Sequence, residues 1–244
     1  MKQFLILQSR PEDAASDNEL EALLEFGGLE PDQVHRVRME QNGIPPLSLD
    51  DYSGIILGGG PYNMTDPEEK RDENQKRALK DLFALLDEVI EHDFPFLGAC
   101  LGVGILSEHQ KGKVSKEFSE DVGGVTIKTN PEGEADSLLT GLPTEFRAFV
   151  GHKEGCELLP PGAVLLASSD TCPVQMFRIK QNIYATQFHP ELDVEGITLR
   201  INIYKHAGYF PPEDAEDLIA SVSSEEISVP MMILKRFVDK YRRD

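Results

Sequence analysis

No apolar run in this 244-residue sequence approaches the roughly 20 residues that a bilayer-spanning helix requires, which argues against a transmembrane segment. The amino terminus, MKQFLILQSRPEDAASDNE, carries an apolar piece only from Phe4 to Leu7, and acidic residues follow at once. It therefore reads as a first strand and not as a secretory leader. Basic residues are scarce: 24 Lys and Arg stand against 43 Asp and Glu, a net charge of -19. Phosphate backbones are bound by an excess of Lys and Arg, so nucleic acid is not expected as a partner. The 3 cysteines, Cys100, Cys156 and Cys172, are odd in number and lack the spacing of a disulfide framework. A reducing, cytoplasmic setting is expected. His35, His92, His109 and His206 are scattered without H-x-x-x-H or Cys–His spacing, so no structural metal is expected, and no cofactor signature is present. Internal repeats, low-complexity tracts and an obvious interdomain linker are all absent.

What remains is a soluble-type composition, 40% hydrophobic and 27% charged, with a clear change of texture along the chain. Phe4–Leu7 reads as a buried strand, and Leu20, Leu23 and Leu24 before Gly27-Gly28 as a helix stopped by glycine. YSGIILGGGP, from Tyr52, is a second buried strand ending in a glycine-rich turn. Asp66-Pro67-Glu68-Glu69 reads as a helix N-cap with proline in the first turn, and Ala78, Leu79, Leu82, Phe83, Leu86, Val89 and Ile90 recur at helical spacing. Phe94-Pro95-Phe96-Leu97 is the next strand, and a helix follows Cys100.

Alternating strands and helices up to about residue 110 predict a mainly parallel sheet covered on both faces. From Val114 to Ala185 short β-prone runs take over: Val122–Ile127, Phe146–Val150, Val164–Ala167, Val174–Ile179 and Ile183–Thr186. These predict antiparallel strands added to the same domain. The tail returns to helix, with Met231, Leu234, Val238 and Tyr241 on one face and a solvated acidic start at Glu213-Asp214 and Glu216-Asp217. The expected division is a main domain over 1-205 and a helical C-terminal extension over 206-244 packed on it.

Chemistry concentrates at three places. Gly98-Ala99-Cys100-Leu101-Gly102 has the form G-x-C-x-G at a strand-to-helix junction, where small neighbours let a nucleophile project from a strained turn. The helix N-terminus would lower the thiol pKa, and the Leu101 N–H could face an oxyanion. The pentapeptide alone fits equally a small core cysteine beside packing glycines. His189-Pro190-Glu191 follows a β-prone run, and two residues apart on extended chain point to one side. A neutral imidazole can take a thiol proton, and a carboxylate on its other nitrogen fixes the tautomer. Alone, this tripeptide is commonly a surface turn. Gly58-Gly59-Gly60-Pro61 ends a strand and lets backbone approach a substrate closely; neither G-x-G-x-x-G nor a following Lys-Ser/Thr supports a phosphate cradle.

Gly59-Gly60-Pro61, Gly98–Gly102 and Gln187-Phe188-His189-Pro190-Glu191, in that order, resemble the class I glutamine amidotransferases. The middle region is similar to the free-standing branch related to the glutaminase domain of GMP synthase. Gly112-Lys113-Val114, His152, Leu158-Leu159-Pro160-Pro161-Gly162-Ala163 and Ala167-Ser168-Ser169 carry that second likeness. The resemblance implies a flavodoxin-like three-layer α/β sandwich and a Cys-His-Glu triad of Cys100, His189 and Glu191. Gly60 and Leu101 N–H groups would form the oxyanion hole, with Gly59, Gly104 and His152 at the substrate. The reaction implied is hydrolysis of the side-chain amide of glutamine through a Cys100 thioester, the ammonia going to a synthetase partner or a small acceptor.

The sequence departs from the family at Gly104, where glutamine is usual. A lost hydrogen bond to a charged ligand group costs about 1.5–3 kcal/mol, so specificity would tilt while turnover survived. Two alternatives follow: a hydrolase of other γ-glutamyl amides using the same three residues, or a non-catalytic regulatory subunit. His152 is equally open to a structural role, and Cys156 and Cys172 are expected to be inert thiols.

Overall fold

The computed structural model describes all residues from Met1 to Asp244. Its first half alternates as the apolar runs demand: β1 (Gln3–Gln8), α1 (Asp13–Gly27), β2 (Val34–Arg38), a single-turn α2 (Met39–Asn42), β3 (Tyr52–Leu57), α3 (Glu73–His92), β4 (Phe96–Ala99) and α4 (Leu101–His109). The second half is strand-rich: β5 (Lys113–Ser115), β6 (Glu120–Thr129), α5 (Pro131–Ala135), β7 (Glu145–His152), β8 (Gly155–Leu158), β9 (Val164–Ser168), β10 (Met176–Ile179) and β11 (Ile183–Thr186). Three helices close the chain, α6 (Val194–Ile203), α7 (Ala215–Val222) and α8 (Val229–Tyr241).

Nine strands form one sheet in the order β2-β1-β3-β4-β11-β10-β9-β6-β7, and β5 pairs with β8 in a separate ribbon. Contacts from β2 through β4 to β11 are parallel, and those from β11 onward to β7 are antiparallel. Both faces are covered, as a mixed three-layer sandwich requires. Alternation along β1 sends Leu5 and Leu7 to the core beneath α3 and α4, while Phe4 and Ile6 meet α1 and α8 on the other face. The C-terminal helices belong to this structure: Leu234, Phe237 and Val238 are fully buried in the second core, and α7 packs with α6 in a third small cluster.

Two expectations are corrected, and one strand is new. The long helix is capped six residues later than anticipated, at Asp72, whose carboxylate accepts from Gln75 N at 2.8 Å, and it starts at Glu73. Asp66 instead accepts from Asn63 Nδ2 at 2.9 Å, and Glu68–Lys70 is only a 3-10 turn. The run Ile183–Thr186 is a strand, but it lies parallel to β4 and is antiparallel only to β10. Strand β2, VHRVR, escapes a reading of the sequence, because an edge strand with mostly half-buried side chains carries no apolar run.

Candidate functional site

The parallel strands deliver the chemistry-bearing residues to one edge of the sheet. β1 runs out into Ser9 and Arg10, β3 into Gly58–Gly60, β4 into Cys100 and β11 into Gln187–Glu191. This is the carboxyl end of the parallel portion, where open α/β sheets place their ligands.

Cys100 is held in the left-handed region, at φ 49 and ψ -80, between β4 and α4. A side chain pays a strain of order 1–3 kcal/mol there. Its backbone N–H donates to Thr186 O at 2.7 Å, which locks the turn to β11. At Gly98 a Cβ would meet Gly102 Cα at 2.7 Å, so close approach of the elbow's two arms needs glycine there. Leu101 N–H is the first amide of α4 and has no carbonyl within its own helix to bond.

Glu191 and His189 meet as their spacing anticipates. His189 Nδ1 donates to Glu191 Oε1 at 2.9 Å, and the carboxylate is fully buried. His189 N–H donates to Phe149 O at 3.1 Å, fixing this loop to β7. Gly59 and Gly60 are close-approach positions. A Cβ at Gly59 would lie 2.5 Å from His189 Cε1, and one at Gly60 would overlap the Ser9 hydroxyl.

Behind the histidine lies a buried charge relay that spacing does not reveal. Arg200 Nη2 donates to Glu191 Oε1 at 3.0 Å and lies 3.7 Å from Glu19 Oε1, while Arg10 Nε donates to Glu19 at 2.9 Å. Two guanidinium groups and two carboxylates thus alternate, each nearly excluded from solvent. Burial works against ionisation of Glu191, yet His189 and Arg200 overcome it and hold its carboxyl well below the usual range. For His189, burial outweighs the pull of Glu191 and moves the imidazole below its ordinary 6.5. The Cys100 thiol is pushed up to about 12, chiefly by burial, with Arg10 opposing and Glu191 and Glu154 adding to the rise. The expected lowering by the helix end is therefore overridden, and at neutral pH the resting pair is thiol and neutral imidazole.

Two cavities meet at Cys100. One, about 60 Å³, is bounded mainly by apolar side chains and contains His189, Arg10 and Arg200 on its wall. The other, about 20 Å³, is lined mainly by polar residues and glycine and touches Asn63, Gly104, His152, Glu154 and Gln187. Cys100, Gly60, Gly151 and Tyr209 border both. Gln187 Nε2 points at Cys100 Sγ from 3.8 Å.

His152 lines the polar cavity, but its ring nitrogens face Glu154 O and Glu120 Oε2, both at 2.8 Å. That makes it a brace of the cavity wall, and the direct substrate contact anticipated for it lacks a free ring nitrogen. Glu120, His152 and Cys172 bring potential ligand atoms within 4.8 Å of one another. Glu120 also accepts from Gln175 Nε2 at 2.6 Å and from Ser169 Oγ at 2.9 Å, so its oxygens are saturated within the protein. Position 104 is no vacancy: a Cβ there would lie 2.9 Å from Glu154 Oε1 and 3.3 Å from Met64 Cγ. Glu154 accepts from Met64 N at 2.7 Å and from Thr65 N at 2.9 Å, and so staples the loop that follows Gly60 against α4.

Comparison with known proteins gives a family match to "Glutamine amidotransferase class-I" over residues 18–196. That interval contains Cys100, His189 and Glu191 and leaves out Arg10, Arg200 and Tyr209. A glutamine-hydrolyzing GMP synthase subunit of Thermoplasma volcanium is 30% identical over 185 residues, 75% of this chain and 84% of that protein. Among solved structures, a glutamine amidotransferase from Thermotoga maritima superimposes with a TM-score of 0.77 at 21% identity, covering 98% of this chain and 99% of its own. One from Methylobacillus flagellatus gives 0.74 at 20% identity, covering 100% and 97%. At these identities the two structures speak to the fold. No helix is long and apolar enough to cross a membrane.

Proposed function

The chain belongs to the class-I glutamine amidotransferase family, and from that premise we propose that it hydrolyses the side-chain amide of glutamine with Cys100 as nucleophile, His189 as base and acid, and Glu191 orienting His189. The observation that carries this reading is the 2.9 Å bond from His189 Nδ1 to Glu191, on the wall of a cavity that also holds the strained Cys100. The bond leaves Nε2 of His189 as the nitrogen available to the thiol.

Because thiol and imidazole both start neutral, the first step is proton transfer coupled to attack. Sulfur bonds to the amide carbon, and His189 takes the thiol proton. The oxyanion gathers hydrogen bonds from Leu101 and Gly60 N–H. His189 then protonates the nitrogen, the C–N bond breaks, and ammonia leaves a γ-glutamyl thioester on Cys100. Water, deprotonated by His189, attacks that thioester and releases glutamate with the thiol restored. The ammonia passes to an acceptor, on a synthetase partner or a small molecule; the relatives named as separate GMP synthase subunits favour a partner. Residues 1-205 form the catalytic unit in this reading, 206-244 an extension packed on it, and the reduced cysteines suit the cytoplasm.

The pH profile tests the base. His189 must be neutral, and its pKa lies below 6.5. Hydrolysis is expected to be flat from about pH 7.5 to 9 and to fall as pH drops through the imidazole pKa. The same sign holds for stability, since the unfolded histidine binds a proton at a higher pH than the folded one. A profile that instead climbs steadily above pH 8 indicates direct titration of the thiol and removes His189 from the role of base.

A second expectation concerns Gly104. Restoring the family's glutamine should not tighten substrate binding, because any side chain there must displace the Glu154 staple. Steady-state kinetics of Gly104→Gln should show kcat/KM for glutamine reduced by roughly one to two decades. A gain would mean that Gly104 is simply a missing contact.

A further inference from the structure

We propose that the apolar cavity beside Cys100 receives the leaving amine, and that the protein cleaves γ-glutamyl amides whose nitrogen carries a short apolar substituent. The inference rests on the amide-hydrolase reading above and adds a substrate class to it.

The two cavities divide any bound amide at its scissile bond. His189, which must protonate the departing nitrogen, lines only the apolar cavity. Gln187 lines only the second cavity, on the other side of Cys100, which leaves that side to the glutamyl half. The leaving nitrogen therefore points toward Val122, Leu192, Ile197, Ile201 and Phe210. Ammonia needs a space about the size of one water, ~10–15 Å³ on the same scale. The cavity is about 60 Å³, which leaves room for a chain of two or three carbons. Ammonia also gains nothing from apolar walls, whereas each buried methylene favours binding.

An acidic substituent is disfavoured by the electrostatics. Arg10 and Arg200 reach this cavity, but Glu19 and Glu191 neutralise them one for one. The roof comes from outside the family-matched interval. Tyr204, Tyr209 and Phe210 line the cavity, and Lys153 Nζ holds this segment by donating to Ala207 O at 2.9 Å and by lying 4.2 Å from the Tyr209 ring centre. Family resemblance in the core motifs therefore says nothing about this roof.

The reaction keeps its balance for such a substrate. The C–N bond breaks, the thiol proton ends on the released primary amine, and water restores the thiol and frees glutamate.

The test compares kcat/KM for glutamine, its γ-ethylamide and γ-glutamylglycine, with glutamate release as the common readout. The ratio of ethylamide to glutamine is expected to fall about tenfold in Val122→Phe, which fills the cavity from the half-buried β6. In Ile201→Ala, which enlarges it, the γ-butylamide should gain on the ethylamide by a similar factor. γ-Glutamylglycine should run at least tenfold below the ethylamide in the unaltered protein. Glutamine turnover with both ratios unmoved overturns the inference and leaves the cavity as a passage for ammonia; a preference for γ-glutamylglycine overturns it in favour of an acidic amine. If none of these amides is cleaved in a Cys100-dependent manner, the underlying amide-hydrolase reading fails and the inference falls with it.

Discussion

Cys100→Ser lowers glutamine hydrolysis by at least about 10³-fold, with the fold intact. Serine is nearly isosteric, so it accepts the left-handed φ of 49 no worse than cysteine does. Its hydroxyl, however, is far harder to deprotonate, and a histidine moved below 6.5 is a weak base for it. The thiol already starts at about 12, so the reaction depends on coupling proton transfer to attack by a polarisable sulfur. Glutamate release measured beside thermal unfolding separates lost chemistry from lost structure. Activity within tenfold of the unaltered protein places the nucleophile elsewhere.

Glu191→Gln strikes both the rate and the fold. The carboxylate orients His189 and answers the charge of Arg200, and it is fully buried. An amide in its place misorients the imidazole and does not stabilise the imidazolium, which should reduce kcat by about 10³–10⁴-fold. Removing one member of a buried charged network leaves Arg10 and Arg200 with Glu19 alone, at a cost of about 3–5 kcal/mol. For a chain of this size that lowers Tm by roughly 6–20 °C. The double effect is the signature: a variant that loses activity with an unchanged Tm contradicts the buried charge relay, and one that loses only stability contradicts the orienting role.

Much of this site is legible in the residues because the chemistry is specific to type. A thiol between glycines after Phe94–Leu97, and an imidazole two residues from a carboxylate, remain visible without any fold. Arg10, Glu19 and Arg200 are invisible for the opposite reason. Arginine and glutamate are ordinary surface residues, and only the pairing of α1 and α6 with the end of β1 turns them into a buried relay. The direction of β11 is hidden similarly, since its apolar run marks a strand but its partner β4 lies some ninety residues earlier. Asp66-Pro67 reads as the cap of α3, but Asn63 takes the Asp66 carboxylate and the cap falls to Asp72. The raised thiol escapes the sequence because helix position is local information, whereas burial is not.

The central claim is that Cys100 attacks a γ-glutamyl carbonyl, and covalent capture tests it most directly. Incubation with a diazo-ketone analogue of glutamine, followed by peptide mass mapping, should place one adduct on the peptide containing Cys100. Excess glutamine should suppress it, and Cys156 and Cys172, both buried, should stay unmodified. Absence of an adduct on Cys100 while activity persists, or labelling that glutamine does not suppress, would contradict the account.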